Sequence, residues 1–134
     1  VCDAGCSILL MNPPWETGIA TYGLGSAVGV AARSTRVALT GDFGMLHSGI
    51  VSLIDVYQKG LPLLTVVMDN GSMAMTGGQA APPVVRFLEF ARPVVCEATD
   101  EKTLSQYLVP QDRPVTLVVT GRCPEGRHHE TVEC

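Results

Sequence analysis

Basic residues are scarce and scattered along this sequence. Nine Lys and Arg stand against thirteen Asp and Glu, a formal net charge of −4 at pH 7. The lack of a basic stripe to neutralise phosphates argues against nucleic acid as a partner. Long apolar runs are missing as well: none approaches the roughly 18 residues of a membrane-crossing helix, and no basic segment, apolar run and small-residue cleavage site open the chain. The expectation is a cytoplasmic protein with no membrane partner. No two cysteines form a CxxC pair, and the five present, Cys2, Cys6, Cys96, Cys123 and Cys134, are odd in number. A disulfide framework, a zinc site and an iron–sulfur cluster are therefore not indicated. The cysteines read as mostly buried thiols, with Cys123 and Cys134 the more exposed. An initiator methionine is also missing, and a chain opening on Val1-Cys2-Asp3-Ala4-Gly5-Cys6 suggests a domain excised from a longer polypeptide.

What is present is apolar: 46% hydrophobic and 16% charged over 134 residues, enough for one domain with a single core. Two apolar runs, 37–40 and 61–68, stop abruptly at Gly41-Asp42 and at Asp69-Asn70-Gly71, with one helix-length segment between them. That order predicts strand, helix, strand, with an oxygen-bearing side chain at the carboxyl end of each strand. In an open parallel sheet such ends face the ligand crevice, and the next helix starts there with unpaired N–H groups and a positive dipole end. An anion is held well at that point. A diphosphate also needs a hard divalent cation, bound by oxygens from one or two side chains plus phosphate. Asp42 and Asn70, 28 residues apart, would supply those oxygens.

Along the chain, the pattern predicts a short strand at 5–10 and a loop at 13–18 on which Trp15 is a surface anchor or a substrate- or partner-facing side chain. A small-residue helix is expected at 22–32 and a strand at 36–40. The helix at 45–59 should bury Ile50, Leu53, Ile54 and Tyr57 as one stripe. After Gly60 and Pro62, a strand at 63–68 is apolar enough to be buried on both faces. The glycine-rich loop to Gln79 suits a lid. A helix at 84–92, a strand at 94–97, a helix at 101–107 and a strand at 115–120 follow. The tail at 124–134 is polar, with His128-His129 a weak metal pair or simply exposed. This alternation predicts a doubly wound α/β domain over 1–123, a mostly parallel sheet with helices on both faces. One rival reading concerns Gly23, Gly25 and Gly29. They spell G-x-G-x-x-x-G, with Asp42 19 residues beyond Gly23, close to a dinucleotide-binding fingerprint. Such a loop must follow a buried strand, which 13–20 does not offer, and glycines for close helix packing are the competing account.

Gly41-Asp42, an interval in the high twenties, then Asn70: this resembles the cofactor signature of the thiamine diphosphate enzymes. The resemblance implies Asp42, Asn70 and the backbone carbonyl of Ser72 as magnesium ligands, with Gly41, Phe43, Gly44 and Met73 also around the cofactor. It implies Leu24 as the apolar wedge that bends the cofactor, and Gly23 or Tyr22 as the carbonyl facing its aminopyrimidine. His47, at the start of the helix, either hydrogen-bonds a phosphate or substrate carboxylate or faces solvent as a cap. Met75-Thr76-Gly77-Gly78-Gln79 is similar to the run that follows this motif in 2-oxoacid:ferredoxin oxidoreductases. Gly5-Cys6 and the stretch from Phe43 to Ile50, with His47-Ser48-Gly49-Ile50, resemble their indolepyruvate branch. Phe43 departs from that pattern, where a small or hydroxyl residue is usual, and Leu24 stands in place of Met.

The function so implied is one half of a 2-oxoacid oxidoreductase active site. It would carry out oxidative decarboxylation of a 2-oxoacid, with indolepyruvate suggested by the branch resemblance, and with a ferredoxin-type acceptor reached through other domains. The family's activating glutamate sits on a pyrimidine-binding domain that this sequence does not contain. The domain alone is expected to be inactive, completing its site with such a domain or subunit in a homo- or hetero-oligomer. Two alternatives stand beside it. One is a subunit of a non-oxidative 2-oxoacid decarboxylase, against which Thr76-Gly77-Gly78-Gln79 speaks; the other is a degenerate or nicotinamide-binding domain.

Overall fold

The computed structural model describes residues 1–73 and 76–122. Its strands are β1 (Cys2–Asp3), β2 (Thr21–Tyr22), β3 (Val37–Gly41), β4 (Leu63–Asp69), a small hairpin of β5 (Ser72–Met73) and β6 (Gln79–Ala80), then β7 (Val94–Glu97) and β8 (Pro114–Thr120). Six of them form one sheet in the order β2-β1-β3-β4-β8-β7, every neighbouring pair parallel. Helices α1 (Ala27–Ala31), α2 (Asp42–Gly44), α3 (Ile50–Lys59), α4 (Val84–Phe87) and α5 (Glu101–Tyr107) make the crossovers. Helices α1, α3 and α4 bury their apolar sides with Ala38, Leu63, Val67 and Val118 on one sheet face. On the other face Leu104 and Tyr107 of α5 pack against Leu64, Val66 and Leu117. The domain is doubly wound, as its alternating pattern predicts.

The central strand shows why. From Leu63 to Val67 all five residues of β4 are buried, Leu63 and Val67 in one core and Leu64 and Val66 in the other, so that no apolar–polar alternation marks the strand in the sequence. The helix after β3 is a continuous run over 42–59 with a π turn at Met45–Gly49, where the Ile50 N–H reaches back to Met45 O. Gly60 ends it at φ +62°, the left-handed conformation that glycine adopts without strain. Of the predicted stripe, Leu53 is buried and Ile50 and Tyr57 pack partly buried against the same core, which Val56 joins, whereas Ile54 is 41% exposed.

The amino-terminal part departs most. The expected strand at 5–10 is a 3-10 helix, Cys6–Met11, and the strand is Cys2–Asp3. The Ser7 hydroxyl and the Gly5 N–H both bond Asp3 O, which curls the chain away as soon as β1 ends. Ile8 and Leu9 remain exposed. The helix expected at 22–32 shrinks to α1, because Tyr22 belongs to β2 and Gly25, at φ +79°, turns the chain. The helix expected at 84–92 is α4 followed by the 3-10 helix Glu89–Ala91. Cys2 and Cys96 are buried, as expected; Cys123, Cys134, His128 and His129, with the tail at 124–134, lie outside the described residues. Among the described residues no helix is long and apolar enough to cross a membrane.

Helix α5 starts on a side-chain cap. Asp100 accepts from the Thr103 N–H at 3.0 Å and from its hydroxyl at 2.7 Å, and these bonds hold its carboxyl below the ordinary value. A group with a lowered folded pKa contributes stability above the unfolded value and loses it as pH falls through the folded one. Asp100→Ala should therefore lower the melting temperature by a few degrees at pH 7, with the difference shrinking as acid protonates the wild-type cap.

Candidate functional site

The carboxyl ends of β3 and β4 are adjacent, Gly41 pairing with Met68. Asp42 leaves β3 directly into the helical run, with Gly41 as the capping residue. Its carboxylate is 4% exposed. Oδ1 accepts from the Phe43 N–H at 2.6 Å and Oδ2 from the Gly71 N–H at 3.0 Å. Asp69 Oδ1 accepts from that same Gly71 N–H at 3.2 Å, so two carboxylates share one donor. Burial first, and then the neighbouring Asp69, push the Asp42 carboxyl above its ordinary value. Asn70 folds its amide oxygen back onto the Ser72 N–H at 2.9 Å.

This donor set is all oxygen: two carboxylates that repel and an amide carbonyl, at the point where a helix begins. Its chemistry fits a magnesium-type ion together with a phosphate, and not a soft metal. Among the described residues no three His, Cys, Asp or Glu gather into a metal group. A cation bound here would need further oxygens, for which Asn70, backbone carbonyls and a ligand phosphate are the available kinds.

The glycines on either side of Asp42 do different work. A Cβ on Gly41 would meet nothing within 4 Å, which leaves open space before the helix N-terminus. On Gly44 it would meet Asp3 Oδ2 at 2.7 Å, Thr40 Oγ1 at 2.9 Å and Leu24 Cδ1 at 3.3 Å. Gly44 is thus a packing glycine that brings the Leu24 side chain over the first helical turn. The Leu24 carbonyl accepts from the Ser48 hydroxyl at 2.6 Å. The Gly23 carbonyl accepts from both the N–H and the hydroxyl of Ser26, at 3.0 and 2.5 Å.

Phe43 and His47 lie side by side along the helix, ring centroids 6.1 Å apart, with His47 exposed. Ser72 and Met73 form β5, paired with Gln79 and Ala80. The stretch expected to be a lid is this hairpin, with Gln79 Nε2 donating to Thr76 O and the Thr76 hydroxyl to Met73 O; residues 74 and 75 lie outside the described residues. Beyond Asn70 a crevice of about 610 Å3 opens among Asp69, Glu97, Thr99, Thr120 and Arg122.

Asp3 is a residue that the sequence reading passed over. It is 1% exposed. Oδ1 accepts from the Ala27 N–H at 2.9 Å and Oδ2 from the Thr40 hydroxyl. One carboxylate thereby ties β1 to the start of α1 and to the end of β3, two residues before Asp42. The available signal was an acid enclosed by Cys2 and Ala4-Gly5 in an otherwise apolar segment.

Comparison with known proteins bears on the same stretch. The family model described as thiamine pyrophosphate enzyme, C-terminal TPP binding domain, matches residues 9–100. The indolepyruvate oxidoreductase subunit IorA of Methanothermobacter marburgensis is 37% identical over 86 residues, covering 60% of this chain and 14% of that protein. The Archaeoglobus fulgidus subunit of the same name is 33% identical over 86 residues, with the same coverage. That of Pyrococcus horikoshii is 31% identical over 100 residues, covering 60% of this chain and 15% of that protein. The chain thus spans about one seventh of the length of these relatives. With the family match running from the turns after β1 through both strand ends that carry Asp42 and Asn70, the chain belongs to the thiamine pyrophosphate enzymes, as their C-terminal TPP binding domain.

Proposed function

We propose that this domain binds the diphosphate of thiamine diphosphate through a magnesium ion, as one half of a 2-oxoacid oxidoreductase active site. The observation that carries the reading is the meeting of Asp42 and Asn70 at adjacent strand ends, in front of a helix N-terminus. Asp42, Asn70 and the Ser72 carbonyl hold the cation; Gly41 leaves room for the diphosphate; Leu24 supports the rings. Phe43, His47 and Met73 are assigned to the rim of the same space, with exposed His47 available to a phosphate or a substrate carboxylate, whereas Gly44 serves by letting Leu24 pack against the helix. When bound, thiamine diphosphate supplies the carbanion chemistry that cleaves a 2-oxoacid beside its carbonyl. The chain's own task is to anchor, bend and shield it.

The relatives' name supports oxidation and an aromatic 2-oxoacid such as indolepyruvate. The remaining parts, a pyrimidine-binding domain with the activating glutamate and a relay to a ferredoxin-type acceptor, come from other domains or subunits of a cytoplasmic assembly. A nicotinamide site is disfavoured by a specific observation: the Gly23–Gly25 turn follows only the two-residue edge strand β2, and Gly25 packs on protein backbone. Calorimetric titration of the full-length protein with thiamine diphosphate, with and without magnesium, tests the proposal. Binding that requires magnesium is expected. No binding, or binding indifferent to the cation, would sink it.

A further inference from the structure

Ser48 stands in the π turn Met45–Gly49, yet its hydroxyl does not return to its own helix. Helical serines commonly bond the carbonyl one turn back. Ser48 Oγ instead donates at 2.6 Å to the carbonyl of Leu24, on a different segment of the chain.

Three features are arranged around that bond. The turn carrying Ser48 holds an extra residue, since the Ile50 N–H reaches Met45 O, and such turns are frequent at functional sites. Gly25 lets the loop approach: a Cβ there would lie 2.6 Å from both Gly44 O and Gly49 N. Leu24, held by its carbonyl, sets its side chain over Gly44, two residues past Asp42. The loop is thereby latched onto the same helix whose first turn faces the anion.

We propose that Ser48 is a positioning residue for the ring-binding part of the cofactor site, acting through Leu24. The inference rests on the cofactor reading above and adds a division of labour within it. Ser48 bonds neither Asp42 nor Asn70, and it lies one and a half turns beyond the first N–H groups of the helix. Its loss leaves the cation and diphosphate contacts in place and releases the wedge. A ligand with rings feels that release. A bare diphosphate does not.

The test compares thiamine diphosphate with inorganic diphosphate, each titrated with magnesium into the full-length protein, together with any subunits that it requires. Ser48→Ala is expected to weaken thiamine diphosphate about tenfold and inorganic diphosphate less than about twofold. Ser48→Thr, which keeps the hydroxyl, should stay within about twofold of wild type for both. In a Leu24→Ala background, itself weakened for thiamine diphosphate, adding Ser48→Ala should cost no more than about twofold further, because the two residues act as one unit. Should Ser48→Ala fail to fold, Ser48→Cys, of similar size with a poor donor, is read by the same ratio.

Equal losses for both ligands would make Ser48 a merely structural residue of the helix and overturn the inference. So would no loss, or independent losses in the double variant. Wild-type protein that binds inorganic diphosphate but not thiamine diphosphate overturns the cofactor reading, and this inference with it. Wild-type binding of both, unchanged in Ser48→Ala, overturns the inference alone.

Discussion

Asp42→Asn is expected to cut magnesium-dependent binding of thiamine diphosphate by at least about 100-fold while making the ligand-free protein more stable. The two effects share one cause. Asp42 is buried beside Asp69, so its folded pKa lies above the ordinary 3.8. A raised folded pKa means that the native state holds the proton more tightly than the unfolded chain does. The stabilisation is complete below 3.8 and is lost as pH rises through the folded value, leaving at neutral pH a buried charge whose two N–H donors, from Phe43 and Gly71, do not fully offset its burial.

Asparagine removes that charge and keeps an oxygen for the Phe43 N–H; its amide nitrogen, in the place of Oδ2, gives up the Gly71 N–H, which keeps Asp69 as its acceptor, and can itself donate to Asp69. A gain of about 1 kcal/mol, a few degrees in melting temperature, is the expected size at pH 7. It should vanish at acid pH, where wild-type Asp42 is itself protonated. Thermal melts across pH 4 to 8, with titration at neutral pH, check both arms. A variant that melts lower than wild type at pH 7, or that binds in a magnesium-dependent way with an affinity near the wild type's, contradicts this account of the site.

Much of this site was legible because the residues that make it interrupt strong local patterns. Val37–Gly41 and Leu63–Asp69 are apolar runs that end on Asp and Asn, and neither strand needs distant information to be recognised. The range of helix α5, Glu101–Tyr107, was legible to the residue, although its cap, Asp100, was not singled out. The amino-terminal third was not. Cys2–Asp3 is too short to carry a period, and it is a strand only because β2 and β3 flank it. The apolar run after Gly5 looks more like a strand than the true one does. The π turn has no sequence signature; the contacts beside it, Ser48 with Leu24 and Gly49 with Gly25, join residues about 24 apart. Asp3 was hidden for the same reason, since its partners at Ala27 and Thr40 are 24 and 37 residues away.

The three glycines of G-x-G-x-x-x-G, indistinguishable in the sequence, should separate sharply on mutation. Gly25→Ala is expected to cost about 3 kcal/mol or more. Its φ of +79° already disfavours any side chain, and the new Cβ would sit 2.6 Å from Gly44 O and from Gly49 N, backbone atoms that cannot rotate aside. The helix and the loop would have to part, taking Leu24 from Gly44, so that thiamine diphosphate affinity should fall with the melting temperature. Gly29→Ala meets only the Ser52 hydroxyl at 3.1 Å, which can swing away. Gly23→Ala meets nothing within 4 Å and is not in the left-handed region, and it should stay within about 0.5 kcal/mol of wild type. A dinucleotide-binding loop predicts another order, because there the glycines earn their place by backbone approach to a pyrophosphate, and the first glycine matters as much as the second. Melting temperatures and cofactor titrations of the three alanine variants therefore decide between the two readings. Damage confined to position 25 fits a loop latched onto a helix, whereas damage at position 23 equal to that at position 25 would bring back the nucleotide loop.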